Sequence, residues 1–109
     1  MSPPPDSQAG SPDSPAPRAG AVTRVLKIVN EKGLHARASA KFVQTVEKFD
    51  AEVAVERNGE SAGGNSIMGL MMLAAGIGTS ITVTASGRQA TEVIEALDAL
   101  VSSRFGEEE

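Results

Sequence analysis

The chain is short and acidic, with 109 residues, no cysteine and a formal net charge of −4 at pH 7. This length predicts one small domain, and the absence of cysteine excludes disulfides and thiolate chemistry and fits a cytoplasmic location. The negative charge and the lack of Trp and Tyr argue against nucleic-acid binding, and the longest apolar run, residues 67–77, is too short to span a membrane.

The first 21 residues differ in composition from the rest of the chain. They contain all six prolines and no large apolar residue apart from Met1. Such a segment cannot bury enough apolar surface to offset its ordering entropy, so residues 1–21 are predicted to form a disordered Pro/Ser-rich tail. Residues 22–109 contain no proline and are predicted to form the folded domain.

Four strands are predicted from β-branched residues and from the alternation of apolar and polar positions. They cover residues 22–30, 52–57, 60–63 and 79–85. The pair Asn58-Gly59 separates the second strand from the third, and this pair is typical of a tight hairpin turn.

Three helices are predicted from apolar residues at helical spacing, over residues 36–48, 66–73 and 89–105. Asn65 or Ser66 is expected to cap the second helix. In that helix we expect Met72 and Leu73 to face the core, with Met68 and Met71 on the outside. Residues 107–109 are expected to be a frayed acidic end.

The element order βαββαβα is typical of an α+β fold. We expect an open-faced two-layer β-sandwich, in which a four-stranded antiparallel sheet carries three helices on one face. The other face of the sheet is expected to meet solvent, in agreement with the polar residues that alternate along the strands.

The only histidine, His35, is expected at the N-cap of the first helix, because Gly33 favours a turn and an alanine-rich run starts at Ala36. The first N–H groups of a helix have no intrahelical partner and carry the positive end of the helix dipole. The backbone of Ala36, Arg37 and Ala38 can therefore bind an anion, and the Arg37 side chain adds a permanent positive charge. A phosphoryl group on His35 would meet all these donors.

Sites of other kinds are not predicted. One histidine and no cysteine provide no metal-ligand pattern, so no metal site is expected. The glycines match neither a P-loop nor a dinucleotide-binding fingerprint, and no cofactor is expected.

Two motifs of this chain resemble HPr, the histidine-containing phosphocarrier family of the phosphoenolpyruvate-dependent phosphotransferase system. Gly-Leu-His-Ala-Arg at residues 33–37 is similar to the active-site signature of that family. Asn-Ser-Ile-Met-Gly-Leu-Met at residues 65–71 is similar to its regulatory-serine segment. The resemblance covers residues 22–105 and implies the same open-faced sandwich.

The resemblance implies that His35 accepts a phosphoryl group on Nδ1 from enzyme I, with phosphoenolpyruvate as the ultimate donor, and passes it to enzyme IIA domains. Arg37 would hold the phosphoryl group, and an HPr kinase/phosphorylase would phosphorylate Ser66 and so weaken this transfer. The protein would be a monomeric carrier and a substrate of other enzymes, with no catalytic activity of its own. The expected docking face contains Ile67, Met68 and Met71.

One residue departs from the family pattern. Ala38 stands where HPr proteins usually have proline, and it restores an N–H in the first helical turn. The resemblance therefore allows two roles, one in sugar transport and one in the nitrogen-regulatory branch of the phosphotransferase system. The alternative interpretation is a regulatory binding domain of split α/β type that is not phosphorylated and in which His35 is incidental.

Overall fold

A computed structural model of the chain describes residues 21–107. The predicted tail, apart from Ala21, lies outside the described residues, as do residues 108 and 109. Four strands and three α-helices follow one another in the predicted order. They are β1 (Val22–Lys27), α1 (Ala36–Val46), β2 (Glu52–Arg57), β3 (Glu60–Gly63), α2 (Ile67–Met72), β4 (Ser80–Ser86) and α3 (Ala90–Ser102).

The four strands form one sheet in the order β1-β4-β2-β3. β4 pairs antiparallel with β1 on one side and with β2 on the other, and β2 pairs antiparallel with β3. The expected open sheet with helices on one face is therefore confirmed. Asn58, at the β2–β3 turn, has a φ of 54°, and Gly59 has a φ of 82°, as the predicted tight turn requires.

The core lies between the sheet and the helices. Alternate residues of β4 are buried, and the hydroxyl residues between them are not, which confirms the predicted two-sided pattern of this strand. α3 packs against β1, β4 and α1, and α1 packs against α2 and α3. Each of the two helices contributes one apolar stripe to the same core. The buried residues of β4, α1 and α3 include Ile81, Val83, Ala85, Phe42, Val43, Val46, Val93, Ile94, Leu97 and Val101.

Ser66, one of the two predicted candidates, is the N-cap of α2. Its backbone is extended, and its Oγ accepts a hydrogen bond from the N–H of Gly69 at 3.0 Å. Leu73, after the end of this helix, is buried as expected, but the expectation for Met72 is wrong because its exposed fraction is 73%. α2 has six residues, fewer than two turns, so a periodic pattern cannot define its inner face.

The third helix is shorter than predicted. α3 ends at Ser102, and residues 104–106 form a separate tight turn. Arg104, Phe105 and Gly106 all have a left-handed backbone, with φ values of 60°, 55° and 73°. We call residues 104–107 the C-terminal turn. Phe105 is buried in the core, so its apolar side chain matches the helical pattern although its backbone does not.

Candidate functional site

The loop before α1 places His35 at the start of that helix. His35 is the N-cap residue, with extended backbone angles of φ −79° and ψ −175°, and its carbonyl oxygen accepts the first helical hydrogen bond from Ser39 N–H at 2.8 Å. Its side chain does not cap the helix. The predicted N-cap position is therefore confirmed, and the imidazole ring is available for other contacts.

Both ring nitrogens of His35 face oxygen atoms. Nδ1 lies 3.1 Å from the carbonyl oxygen of Gly33. Nε2 lies 3.1 Å from Oε2 of Glu107, in the C-terminal turn. The side chain of His35 keeps 30% of its surface exposed, against 11% for Glu107. The ring is thus accessible to a partner but held between two acceptors.

A cleft of about 460 Å³ opens beside the ring, and three cationic side chains line it: Lys32, Arg37 and Lys41. Lys41 Nζ donates a hydrogen bond of 2.6 Å to the carbonyl oxygen of Phe105. Arg37 is exposed and forms no ion pair within residues 21–107. The cleft therefore offers positive charge for an anion beside the imidazole, with Glu107 as the single acidic side chain of the lining.

The first backbone N–H groups of α1 lie next to His35. Ala36 and Arg37 are exposed, whereas Ala38 has no accessible surface, because it is part of the core. All three precede Ser39, the first residue whose N–H closes a turn of the helix. The family's proline position is therefore an interior position of this fold.

Exposed apolar residues cluster on α2 and on the loop that follows it, and α2 packs against α1. We call these residues the α2 apolar surface: Ile67, Met68, Met71, Met72 and Ile77. Three of them belong to the docking face expected from the resemblance to HPr. Ser66, immediately before them, is half-buried.

Two residues of the site were missed by the sequence analysis. Glu107 was expected in a frayed end, but its carboxylate lies against His35. Asn30 was assigned to a strand, but it follows the end of β1 and is fully buried. Its Nδ2 donates to Gly33 O at 2.9 Å and to Glu107 Oε1 at 3.2 Å. A polar residue among the apolar residues of a predicted strand was the available signal for Asn30.

Neither a membrane-spanning helix nor a metal-binding cluster occurs in residues 21–107. In that part of the chain, no helix has the length and apolar character that crossing a bilayer requires. Over the same residues, no group of three or more His, Asp or Glu side chains is arranged to hold a metal ion.

Comparison with known proteins gives one consistent result. The model of the family described as PTS HPr component phosphorylation site matches residues 22–103. The chain is 50% identical over 86 residues to the phosphocarrier protein HPr of Cupriavidus necator, covering 79% of this chain and 97% of that protein. It is 38% identical over 84 residues to the phosphocarrier protein NPr of Shewanella violacea, covering 77% and 92%.

A solved structure has the same fold. The crystal structure of HPr from Thermoanaerobacter tengcongensis superposes with a TM-score of 0.77 at 40% sequence identity. The match covers 81% of this chain and 99% of that one. The identity is high enough for the likeness to concern the family as well as the fold.

Proposed function

The chain belongs to the HPr family of phosphocarrier proteins of the phosphotransferase system, and on this premise we propose that His35 carries the phosphoryl group on Nδ1. The observation that supports this most strongly is the position of His35. It is a part-exposed N-cap residue whose ring borders a cleft lined by Lys32, Arg37 and Lys41. A neutral imidazole is a good nucleophile and also leaves readily when the phosphorus is attacked again.

Transfer requires Nδ1 to approach phosphorus. In the structure Nδ1 points at Gly33 O, so the ring leaves this contact before attack. The lone pair of Nδ1 then forms the new bond to phosphorus, while the bond from phosphorus to the donor atom breaks and its electron pair stays with the donor. A rotation about χ2 of His35 is a soft motion of the side chain and is sufficient for this change.

The phosphoryl group is then held by Arg37 and by the N–H groups at the start of α1. Ala36 and Arg37 supply exposed N–H groups. The N–H of Ala38 is buried, so it adds to the positive end of the helix and does not contact the phosphoryl group as the sequence predicted. Phosphoryl transfer depends mainly on positioning and on electrostatic stabilisation, and fixed donors with a permanent charge provide both.

The donor in this proposal is enzyme I, with phosphoenolpyruvate as the ultimate source, and the acceptors are enzyme IIA domains. Ile67, Met68 and Met71 form the docking face for these partners, because methionine side chains adapt to several partner surfaces. A carrier must release each partner quickly, so we expect small transient interfaces and a monomer. The similarity to both an HPr and an NPr supports sugar transport and the nitrogen-regulatory branch alike.

We further propose that an HPr kinase/phosphorylase phosphorylates Ser66. Its Oγ lies at the N-terminus of α2, where a phosphate is compatible with the fold. Two negative charges beside Ile67 and Met68 would weaken docking of enzyme I. Ser66 also serves as an N-cap, and the two roles are compatible.

The domain assignment and the location belong to the same proposal. Residues 22–109 are assigned to the carrier domain, and the predicted tail of residues 1–21 is assigned no part in phosphoryl transfer. We expect the protein in the cytoplasm, in agreement with its cysteine-free sequence.

Purified enzyme I and phosphoenolpyruvate labelled with ³²P test the proposal directly. The full chain should acquire an acid-labile label, which is lost in His35→Ala and retained in Ser66→Ala. Transfer of the label to an enzyme IIA domain should follow. If the full chain takes up no label from active enzyme I, the alternative of a non-phosphorylated regulatory domain replaces the carrier.

A further inference from the structure

We propose that Glu107 is a positioning residue for His35: its carboxylate keeps a proton on Nε2 and so leaves Nδ1 as the nucleophile. This inference rests on the proposed role of His35 as the phosphoryl acceptor. It assigns to the C-terminal turn a function in choosing which ring nitrogen reacts.

The carboxylate of Glu107 is held in place at one oxygen and faces the His35 ring with the other. Oε1 accepts a hydrogen bond from Asn30 Nδ2 at 3.2 Å. Oε2 is buried and lies 3.1 Å from His35 Nε2, yet it accepts no hydrogen bond of good geometry from residues 21–107. A buried carboxylate oxygen without a donor is costly. The nearby Nε2–H needs only a small rotation of the ring to become that donor.

The C-terminal turn delivers this carboxylate to the ring. Phe105 is 1% exposed and anchors the turn in the core, and its carbonyl oxygen accepts from Lys41 Nζ on α1. The N–H of Glu107 donates to Arg104 O at 2.9 Å. A left-handed backbone at Arg104 and Phe105 costs about 1–2 kcal/mol per residue, so this shape persists only where the surroundings impose it.

The two neighbours of the ring differ in the strength with which they hold a proton. Gly33 O and the Glu107 carboxylate are both acceptors, so the ring satisfies them together only with hydrogen on both nitrogens. When one proton leaves the ring, a charge-assisted hydrogen bond from Nε2–H to the Glu107 carboxylate is about twice as strong as a hydrogen bond from Nδ1–H to the neutral carbonyl of Gly33. Nε2 therefore keeps its proton and Nδ1 loses its own.

The other charged groups of the cleft are Lys32, Arg37 and Lys41. They are all cations and accept no proton from the ring while charged. Glu107 is therefore the one group of the cleft lining that distinguishes the two nitrogens of His35 by charge.

The proton on Nε2 of His35 stays in place during the transfer step. The lone pair of Nδ1 bonds to phosphorus, the bond to the donor atom breaks, and its electron pair stays with the donor. The ring becomes a phosphorylated imidazolium with Nε2–H beside the Glu107 carboxylate. In the next transfer a lone pair of the acceptor bonds to phosphorus, the Nδ1–phosphorus bond breaks, its electron pair returns to Nδ1, and Nε2 again keeps its proton.

The test measures the tautomer of His35 by ¹⁵N NMR of the unphosphorylated full chain, at a pH where the ring nitrogen shifts show a neutral ring. The variant is Glu107→Gln. The matched control is Glu56→Gln, which loses the same charge on the exposed, helix-free face of the sheet. We expect the ratio of Nε2–H to Nδ1–H to fall about tenfold in Glu107→Gln and to stay unchanged in the control.

A second measurement uses the rate of labelling by enzyme I. Glu107→Gln should be labelled about three- to tenfold more slowly than Glu56→Gln, with the label still on His35. An unchanged tautomer ratio would show that Glu107 does not place the proton on Nε2. Faster labelling would show that its carboxylate competes with the phosphoryl group. Either result would make the inference wrong. Because the NMR measurement needs no phosphorylation, it separates failure of this inference from failure of the proposed function.

Discussion

Gly33 and Ala75 are in direct backbone contact, and this contact fixes the loop that carries His35. Gly33 has a φ of +65°, and a Cβ at this position would collide with the carbonyl oxygen of Ala75 and lie 2.9 Å from Gly76 Cα. Leu34 N–H donates to the same carbonyl oxygen at 2.9 Å. Glycine is needed here both for its φ and for the space.

Gly33→Ala is expected to lower the free energy of unfolding more than Gly59→Ala does. Gly59 also has a positive φ, 82°, but a Cβ added there would meet nothing within 4 Å, so alanine costs only about 1–2 kcal/mol of backbone strain. Gly33→Ala adds a backbone collision and should cost about 2–4 kcal/mol. Urea unfolding of both variants measures the difference, and equal losses would contradict the role assigned to the contact.

Ala38→Pro is expected to leave His35 phosphorylatable and to shorten the half-life of its phosphorylated form. Proline is compatible with the first turn of α1, where the N–H has no intrahelical partner. It removes the N–H of Ala38, which is buried but belongs to the same first turn as the exposed donors, and this loss is worth about 0.5–1.5 kcal/mol and therefore about two- to tenfold in hydrolysis rate. Release of ³²P from the labelled wild type and variant gives the comparison, and indistinguishable half-lives and transfer rates would refute it.

Ser66→Ala is expected to cost about 1 kcal/mol of stability, because Gly69 N–H loses the oxygen that caps α2. Ser66→Asp keeps an acceptor at the N-cap and should restore that stability. It should nevertheless slow phosphorylation by enzyme I, since it adds negative charge beside the docking face. Ser61→Asp adds the same charge on the exposed strand β3 and serves as the control. Equal slowing by both variants would remove Ser66 from the docking region.

Met68→Glu is expected to raise the KM of enzyme I for this protein about tenfold without a comparable loss of stability. The reason is that a charge then lies in an apolar interface. Met68 is 67% exposed. Val25→Glu makes the same type of change at a residue that is 62% exposed on β1. Steady-state phosphotransfer should distinguish the two, and an equal effect on KM would argue against docking at Met68.

The sequence allowed the framework of the site to be predicted because its signals are local. Gly33 before His35, and an alanine-rich run after it, predict a turn and then a helix N-cap, and both occur. Alternation in β4 and the Asn58-Gly59 pair are equally short-range patterns. Each depends on residues a few positions apart, so no knowledge of the tertiary fold was needed.

The remaining part of the site depends on contacts between distant residues. Glu107 belongs to an acidic segment that composition alone describes as solvated, and only the burial of Phe105 directs it towards His35. Phe105 itself continues the apolar spacing of α3, so the pattern hides the change to a left-handed backbone. Met72 was misplaced for a similar reason, because a helix of six residues is too short to define a period.

The contact between Asn30 and Glu107 also has a consequence for synthesis, because the two residues are 77 positions apart in the chain. The ribosome makes His35 and all of α1 long before it makes Glu107. An unfinished chain that already contains the acceptor imidazole therefore lacks the carboxylate that lies against the ring in the folded protein. The complete acceptor site becomes available only when translation has passed the C-terminal turn.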